Sequence, residues 1–286
     1  MRFRYRARLT THPVRTPEDV LRHFDGLASH YHEAHGCADK LLSYRLGIIR
    51  HLLAGTHSGT LLEVGCGTAT HLLALAVEFT HAIGTDLAPE MVKVARRHAE
   101  RSPWRDRISI RVDPAEELAT IDSSSIDVVL CVGAFEHMLE KERVLRQVHR
   151  VLRPAGRFIS LTPHGGYCWY RHIAPALGID VRHLSTDHFL TAGELRTLLH
   201  GAGLRIADCR YWRFVPRGDL PGGWAPILQA LDWCGERAGI GYFRGGIAVA
   251  ATRLDGAADP GQPVNPGRGR PADAGRRRWP RRPPRR

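Results

Sequence analysis

Two glycines and one acidic residue have the types and the spacing needed to hold a nucleoside. Gly65 and Gly67 follow the apolar run 60–64, and a helical pattern begins just after them. Glycines at such a turn permit a tight bend and let a ligand approach the backbone, while the helix start presents free N–H groups. Asp86 ends the next apolar run. In an alternating α/β fold an acid at this point can accept both ribose hydroxyls, which predicts a nucleoside-containing cofactor.

The glycine pattern differs from the fingerprint of dinucleotide-binding proteins. That fingerprint reads Gly-x-Gly-x-x-Gly, but Thr70 stands here at the third glycine position, and Glu63 lies two residues before the first glycine. No nicotinamide site is visible in the sequence either. The sequence therefore gives less support to a dinucleotide-dependent oxidoreductase than to an enzyme that uses another nucleoside-containing cofactor.

The segment LLEVGCGTAT at 61–70 resembles the first motif of class I S-adenosylmethionine-dependent methyltransferases, Glu/Asp-x-Gly-x-Gly-x-Gly. In that family the acid, here Glu63, helps to hold the methionine amino end, and the glycines line the adenosine. Asp86, in GTDLAPEM, matches the second motif, so the resemblance implies that it binds the ribose. Ala69 replaces the usual third glycine, which predicts narrower clearance at the helix start rather than loss of binding.

Three later segments extend the resemblance over about residues 20–252. DPAEEL at 113–118 is similar to the family's Asp-Ala-Glu-Glu-Leu, whose acid contacts adenine, but Pro114 interrupts the match and leaves the Ala115 backbone as an alternative ligand. IDVVLCVGAFEHM at 126–138 resembles the fourth-strand motif ending in Glu-His, and VLRPAGR at 151–157 resembles the turn before the fifth strand. The resemblance implies S-adenosylmethionine as cofactor, held by Glu63, Gly65, Cys66, Gly67, Asp86, Leu87, Met91, Asp113, Ala115, Glu116 and Val132.

Two histidines are candidates for the base that a hydroxyl acceptor needs. Methyl transfer requires alignment of nucleophile and methyl group, and a hydroxyl nucleophile must also lose its proton. His137, at the end of the fourth predicted strand, is the first candidate because an ordinary imidazole titrates near neutral pH. His188, beside Asp187, is the second. The structural alternatives are that His137 caps the following helix and that His188 bridges loop groups.

The sequence favours a small acceptor over a nucleic-acid base. Base N-methyltransferases of this fold carry Asn/Asp-Pro-Pro-Tyr/Phe after the fourth strand, where this chain has CVGAF at 131–135. TDHFLTAGEL at 186–195 is similar to the stretch that closes the acceptor site in quinone-pathway and other small-molecule O-methyltransferases. We therefore predict methyl transfer to a hydroxyl of a small, largely apolar acceptor, enclosed by the entry helices and the segments 162–190 and 212–241.

Aromatic residues are concentrated in those two segments and in the strand between them. They predict an apolar wall for the acceptor pocket, while the alternative is that they only pack the edge of the sheet. The residues are Tyr167, Trp169, Tyr170, Phe189, Tyr211, Trp212 and Phe214.

The elements that position these residues are read from hydrophobic periodicity. Apolar runs predict strands at 60–64, 81–85, 108–112, 126–132 and 157–161, and amphipathic stretches predict helices at 70–78, 89–101, 114–119 and 140–152. Their alternation predicts a doubly wound, Rossmann-like sheet of seven mostly parallel strands with helices on both faces. Strands at 204–212 and 246–252, joined through a helix at 224–238, predict an antiparallel addition at one edge, with the last strand antiparallel.

The predicted domain at 59–254 carries acceptor-site insertions at 162–190 and 212–244. Two entry helices within 16–58 are expected to cap it, the first opened by Thr16 and Pro17. A flexible basic segment is predicted at 1–15, and a disordered Arg- and Pro-rich tail at 255–286.

The net charge of +12 belongs to the two ends of the chain. Residues 1–15 carry five arginines and no acid, and residues 268–286 carry nine arginines and one aspartate, which leaves the stretch between them at −1. Binding to nucleic acid is therefore expected only through the C-terminal tail. A methyltransferase acting on RNA or protein, with that tail as its docking arm, is the alternative function.

The composition limits which other classes of protein this sequence can belong to. Apolar residues make up 43% of the 286, and charged residues 24%, the balance of a globular protein, and the sequence has no run long enough for a membrane span or an export signal. The six cysteines form no CxxC pair and no cluster with histidine, so neither a metal site nor a disulfide framework is predicted. This cysteine usage fits a reducing cytoplasm.

Overall fold

The computed structural model describes residues 11–28, 38–53, 56, 58–213 and 224–254. Strands and helices alternate as predicted, except that turns alone join the third strand to the fourth. The strands are β1 Thr60–Val64, β2 His81–Asp86, β3 Ile108–Val112, β4 Ile126–Val132, β5 Leu152–Pro163, β6 Leu204–Trp212 and β7 Gly246–Arg253. The helices are α1 Pro17–Leu27, α2 Ala38–Leu53, α3 Thr70–Leu75, α4 Pro89–Glu100, α5 Lys141–Val151, α6 Ala192–Gly201 and α7 Trp224–Ala238. Short 3₁₀ turns span Ala76–Glu78, Arg105–Arg107, Phe135–His137 and Gly241–Phe243, and a π-helical turn, Trp169–Ile173, runs into a single α-turn at Ala174–Ala176.

All seven strands described belong to one sheet, in the order β3-β2-β1-β4-β5-β7-β6. Strands β1 to β5 pair in parallel, and β7 pairs antiparallel with both β5 and β6. The doubly wound, mostly parallel fold is therefore confirmed. The antiparallel strand β7 lies one place inside the sheet, and β6 takes the edge.

Both faces of the central strands are covered, which is why these strands read as continuous apolar runs. Leu61, Val128 and Leu130 belong to the core cluster on one face of the sheet, and Leu62 and Val129 to the cluster on the other. Successive side chains of a strand point to opposite faces. A strand buried on both faces therefore needs apolar residues at most of its positions.

The second entry helix, α2, covers the sheet and does not cap the carboxyl ends of the strands. Its apolar residues Ile49, Leu52 and Leu53 are each 1% exposed and belong to the core cluster on one face. Arg157 of β5 also donates a hydrogen bond to the Leu52 carbonyl (2.6 Å). The expectation of a two-helix cap is therefore wrong for α2 and applies to α1 alone.

The helix predicted at 114–119 is a series of turns. The Asp113 carboxylate accepts hydrogen bonds from Ala119 N (3.0 Å), Thr120 N (2.8 Å) and Thr120 Oγ1 (2.6 Å), and Leu118 has a positive φ of 43°. An aspartate that binds nearby backbone N–H groups competes with helical hydrogen bonding. This side chain closes the loop where periodicity indicated a helix.

Strand β5 begins earlier than predicted, and the expected turn at 151–157 is a bulge within it. Leu152 pairs with Ile126 and Arg157 pairs with Val128, so the residues between Leu152 and Arg157 loop out of the ladder. Ala155 has a φ of 59° in this bulge. The apolar pattern did not reveal this first part of the strand, because Arg153, Pro154 and Ala155 are exposed.

Residues 11–15, which we call the strap, are held in place rather than flexible. His12 N donates to the His183 carbonyl (3.0 Å), and Ser185 N donates to the His12 carbonyl (2.9 Å). Val14 is 5% exposed. The prediction of a flexible segment is therefore wrong for the strap. Residues 1–10 and the predicted tail at 255–286 lie outside the described residues.

None of the helices in the described part of the chain combines the length and the apolar run that crossing a bilayer requires. The described cysteines, Cys66, Cys131, Cys168, Cys209 and Cys234, are free thiols. Among the described residues, no group of three or more His, Cys, Asp or Glu side chains is arranged to hold a metal ion. The cytoplasmic location stays a prediction.

Candidate active site

A cleft lies at the carboxyl ends of the strands, and the empty space in and around it, open solvent included, is about 780 Å³. Its apolar roof comes from α1 and consists of Pro17, Val20, Leu21 and Phe24. The rest of the lining comes from the segments after β1, β2, β3 and β4, namely Gly65, Gly67, Asp86, Leu87, Ala88, Met91, Asp113, Ala115, Glu116, Gly133, Ala134, His137, Met138 and Leu139. The cleft spans the switch point between β1 and β4, where ligands of open α/β sheets bind.

Two glycines leave room for a ligand against the backbone. A Cβ placed on Gly67 or Gly133 would meet no atom within 4 Å, and both residues have a positive φ, of 51° and 63°. Gly65 is different, because its Cβ would lie 2.6 Å from Ala134 Cβ at a φ of 66°. Gly65 is therefore needed for packing and for its turn, whereas Gly67 keeps the cleft open.

We expect Gly65→Ala to lower the free energy of unfolding by about 2–4 kcal/mol, through backbone strain and overpacking against Ala134. Gly67→Ala should cost only the backbone strain, about 1–2 kcal/mol, and should weaken cofactor binding because its methyl group enters the cleft. Urea unfolding and titration calorimetry with S-adenosylhomocysteine measure the two effects. Equal losses of stability in the two variants would contradict this division of roles.

Asp86 ends β2 on the floor of the cleft. Its Oδ2 accepts a hydrogen bond from Gly67 N (2.8 Å), and its Oδ1 accepts one from Ala88 N (2.9 Å). Burial raises the pKa of this carboxyl above its ordinary value, against the effect of the two N–H groups. Because a carboxylate oxygen can accept more than one hydrogen bond, both oxygens retain the capacity to receive a pair of hydroxyls. These two acceptor oxygens fit the paired hydroxyls of a ribose.

The loop after β3 forms another wall of the cleft. Asp113 is 2% exposed, and its carboxylate accepts the three hydrogen bonds that close its own loop. Ala115 and Glu116 of this loop line the cleft. Burial raises the pKa of Glu116. The structure therefore places Asp113, Ala115 and Glu116 together beside Asp86, with Asp113 shaping the wall.

Glu63 is brought to the base of the glycine turn and is not part of the cleft lining. The side chain is 1% exposed, its Oε2 accepts a hydrogen bond from Leu72 N (2.8 Å), and its Oε1 lies 3.4 Å from His71 Nδ1. Glu63 thus anchors the start of α3. Cys66 and Val132, also in the predicted cofactor set, are buried in a core cluster beneath the lining.

Ala69, which replaces the family's third glycine, adopts the left-handed conformation at a φ of 63°. Its methyl group is fully buried in the core cluster that contains Leu72 and Leu75. The expected narrowing of the cleft is therefore wrong, since this side chain points into the core. The substitution instead strains the backbone by about 1–2 kcal/mol.

His137 lines the cleft and is paired with an acid from a distant part of the chain. His137 Nδ1 donates to Asp187 Oδ1 (2.6 Å), because an ionised carboxylate can only accept. Burial by itself lowers the pKa of His137, but the hydrogen bond with Asp187 and the negative charges of Glu136 and Asp187 outweigh it and raise the pKa above its ordinary value. With Nδ1 engaged, Nε2 is the nitrogen that can accept a proton.

His188 is not brought to the cleft. Its side chain is 57% exposed, and its Nε2 lies 3.4 Å from Glu194 Oε1 at the start of α6. The backbone N–H of His188 donates to the Glu136 carbonyl (3.1 Å). The geometry therefore favours His137 over His188 as the candidate base.

The predicted aromatic wall is wrong as a lining of this cleft. Tyr167, Trp169 and Tyr170 form a separate core cluster with Leu228 of α7, and Phe189 packs on Tyr170 at 4.8 Å between ring centroids. Elsewhere Tyr211 packs on His164, and Trp212 belongs to the core cluster below the sheet. Phe214 lies outside the described residues. Large flat rings gain most from packing on one another, and here they tie α7 to the loop after β5.

Sequence reasoning missed the individual roof residues of α1, the partner of His137, and Gly133. An apolar face on α1 was predictable, since Val20, Leu21 and Phe24 follow helical spacing, but the sequence did not show which residues of this face line the cleft. A glycine directly after β4 was a further signal. No local signal identified Asp187, because its partner lies 50 residues away in the chain.

The roof helix α1 carries His23 into a group of imidazoles. Burial first, then the positive charges of His12, His137 and His183, lower the pKa of His23 to about 4, while Asp187 opposes the shift. The docked position of the helix therefore favours neutral His23, while an undocked His23 would regain its ordinary pKa near 6.5. Protonation favours the undocked state as the pH falls from about 6.5 to about 4.

We therefore expect α1 to lose protection from hydrogen exchange on acidification from pH 7 to pH 5. Exchange at residues 17–27, corrected for the intrinsic pH dependence, measures this, and α7 is the internal control because it contains no histidine. The variant His23→Gln should remove the pH response of α1. A response that persists in His23→Gln would assign it to another group.

The comparisons with known proteins agree with the geometry. Residues 62–160 match the family model described as a methyltransferase domain. The chain is 30% identical over 162 residues to a ubiquinone biosynthesis O-methyltransferase of Xanthomonas axonopodis pv. citri, an alignment that covers 54% of this chain and 66% of that protein. The chain thus spans just under two thirds of the length of this curated relative.

Solved structures of the same fold have different activities. Geranyl diphosphate C-methyltransferase from Streptomyces coelicolor A3(2) aligns with a TM-score of 0.55 and 15% identity, and the alignment covers 76% of this chain and 80% of the chain of that enzyme. The cyclase SpnF aligns with a TM-score of 0.61 and 18% identity, and the alignment covers 86% of this chain and the whole chain of the cyclase. At these identities the likeness shows the fold alone.

Proposed function

Since residues 62–160 form a methyltransferase domain of the class I, S-adenosylmethionine-dependent type, we propose that this protein transfers a methyl group from that cofactor to a hydroxyl of a small, largely apolar acceptor. The observation that carries the proposal is His137. It lines the same cleft as the glycine turn and Asp86, and Asp187 holds its Nδ1.

The residues that would hold the cofactor fit its chemistry. S-adenosylmethionine, when bound, supplies a methyl group on an electrophilic sulfonium centre. Asp86 would accept the ribose hydroxyls, and the open face at Gly67 would admit the adenosine against the backbone. Ala115 and Glu116 would face the adenine.

The acceptor side of the cleft is apolar apart from the candidate base. Val20, Leu21 and Phe24 roof the space next to His137, whose ring lies 5.2 Å from that of Phe24. An apolar roof excludes water and favours an apolar acceptor. His137 Nε2 would take the proton of the acceptor hydroxyl as the methyl group is transferred. The name of the curated relatives, ubiquinone biosynthesis O-methyltransferase, supports oxygen as the atom methylated.

The alternatives have less support. The match to a methyltransferase domain favours methyl transfer over dinucleotide-dependent oxidation. A methyltransferase that docks RNA or protein through its tail depends on residues 255–286, which lie outside the described residues. No observation on the described residues favours such an acceptor.

The test is a methylation assay with an acceptor panel. Purified full-length protein is incubated with methyl-labelled S-adenosylmethionine and with phenols and catechols of increasing apolar substitution, with aromatic amines of matched shape, or with RNA. Mass spectrometry of the products locates the label. We expect an O-methyl ether from the hydroxylated rings and a lower KM with apolar substitution. Label found only in amines or RNA would overturn the proposal.

A further inference from the structure

Asp187 is the meeting point of three hydrogen bonds from two parts of the chain. Its Oδ1 accepts from His137 Nδ1 (2.6 Å), and its Oδ2 accepts from the backbone N–H groups of His183 and Leu184 (2.9 Å each). The side chain is fully buried. A buried carboxylate with all these donors has a fixed orientation, and it transmits that orientation to the imidazole.

The loop that carries Asp187, residues 182–187, which we call the anchor loop, is itself held by the strap. Ser185 Oγ accepts a hydrogen bond from Val14 N (2.8 Å) and donates one to the Val14 carbonyl (3.1 Å). Val14 and Leu184 are buried against Val20 of the roof helix. The strap, the anchor loop and the roof therefore pack as one unit around the cleft.

We propose that Asp187 is a positioning residue that fixes the Nδ1–H tautomer of His137, and that the strap keeps Asp187 in place through Ser185. The inference deepens the proposed function and rests on it for the role of His137. In this tautomer Nε2 carries the lone pair that receives a proton. Asp187 itself does not line the cleft, and acts through His137.

Asp187→Asn tests this tautomer without changing the shape of the side chain. The two backbone N–H groups of His183 and Leu184 can bond only to an oxygen, so the amide oxygen of the variant takes the place of Oδ2. Its NH₂ group then faces His137 Nδ1 and donates to it. The imidazole is driven to the Nε2–H tautomer, which cannot accept a proton at Nε2.

Nitrogen NMR of the free protein reads the tautomer directly, without any acceptor. The His137 signals are assigned by their loss in His137→Gln. In alkaline buffer, where the imidazole is neutral, we expect Nδ1–H in the parent protein, Nε2–H in Asp187→Asn, and no change in the control Asp106→Asn, whose side chain is 88% exposed. An unchanged tautomer in Asp187→Asn overturns the proposal, whatever the methylation assay shows.

Kinetics separate positioning from a general loss of structure. We expect Asp187→Asn to lower kcat roughly 10²- to 10⁴-fold with cofactor affinity unchanged, the scale for loss of a general base. In Ser185→Ala, we expect His137 to populate both tautomers and kcat to fall by a smaller factor. The control Ser123→Ala, which changes an exposed serine, should alter neither. A fall in cofactor affinity equal to the fall in kcat would assign Asp187 to structure. Methyl transfer that fails in the parent protein, with the NMR result intact, would count against the proposed function alone.

Discussion

Replacing His137 by alanine is expected to lower the turnover number roughly 10²- to 10⁴-fold, the usual contribution of a positioned general base. The affinity for S-adenosylhomocysteine should stay the same, because Asp86 and the glycine turn would hold the cofactor. Burial, which lowers the pKa of His137, is outweighed by its bond to Asp187 and the charge of Glu136, so the pKa stands above 6.5.

The sign of the pH dependence follows from this raised pKa. Below it His137 is protonated and cannot accept a proton, so kcat/KM should fall on the acid side of a midpoint that lies above 6.5. In His137→Ala that acid limb should be absent. The matched control is His188→Ala, which removes an exposed histidine outside the cleft. Equal rates and equal pH profiles in both variants would reject His137 as the base.

Asp86→Ala is expected to weaken S-adenosylhomocysteine binding by about 10- to 150-fold, which corresponds to about 1.5–3 kcal/mol for hydrogen bonds to a charged group. The carboxylate would accept the ribose hydroxyls and also holds the N–H groups of Gly67 and Ala88. Its loss removes a ligand and loosens the glycine turn. Titration calorimetry measures the affinity.

Thermal unfolding of the free protein separates these two effects of the Asp86 substitution. The control Asp106→Ala changes an exposed carboxylate and should alter neither affinity nor melting temperature. An Asp86→Ala variant that melts normally and still binds S-adenosylhomocysteine with the affinity of the parent protein would contradict the ribose assignment.

Four of the five parallel strands, β1 to β4, could be predicted to within one residue, because a strand covered by helices leaves a run of apolar residues in the sequence. The start of β5 could not, because residues 153–155 are exposed. Strands β1, β3 and β4 have the predicted bounds. The helix predicted at 114–119 failed because periodicity does not register the Asp113 carboxylate, which bonds Thr120 in place of a helical turn. A single side chain that bonds its own backbone overrides the hydrophobic pattern.

The position of the candidate site could be predicted from the sequence, but the pairing of His137 with Asp187 could not. The glycine turn and Asp86 were found because they follow strands that meet at one edge of the sheet. His188 and Asp187 are neighbours in sequence, yet only Asp187 turns toward His137. Which of the two adjacent side chains turns toward His137 depends on the packing of the anchor loop against the strap, and no local pattern carries that information.

The place of β7 between β5 and β6 imposes an order on biosynthesis. As the chain leaves the ribosome, β6 emerges before the strand that separates it from β5, so neither can complete its ladder until residues 246–253 have followed. The growing polypeptide therefore passes through a stage in which β5 presents an unpaired edge and β6 has no neighbour. Unpaired edges are templates for pairing with other chains. Early insertion of this last strand would remove both exposed edges.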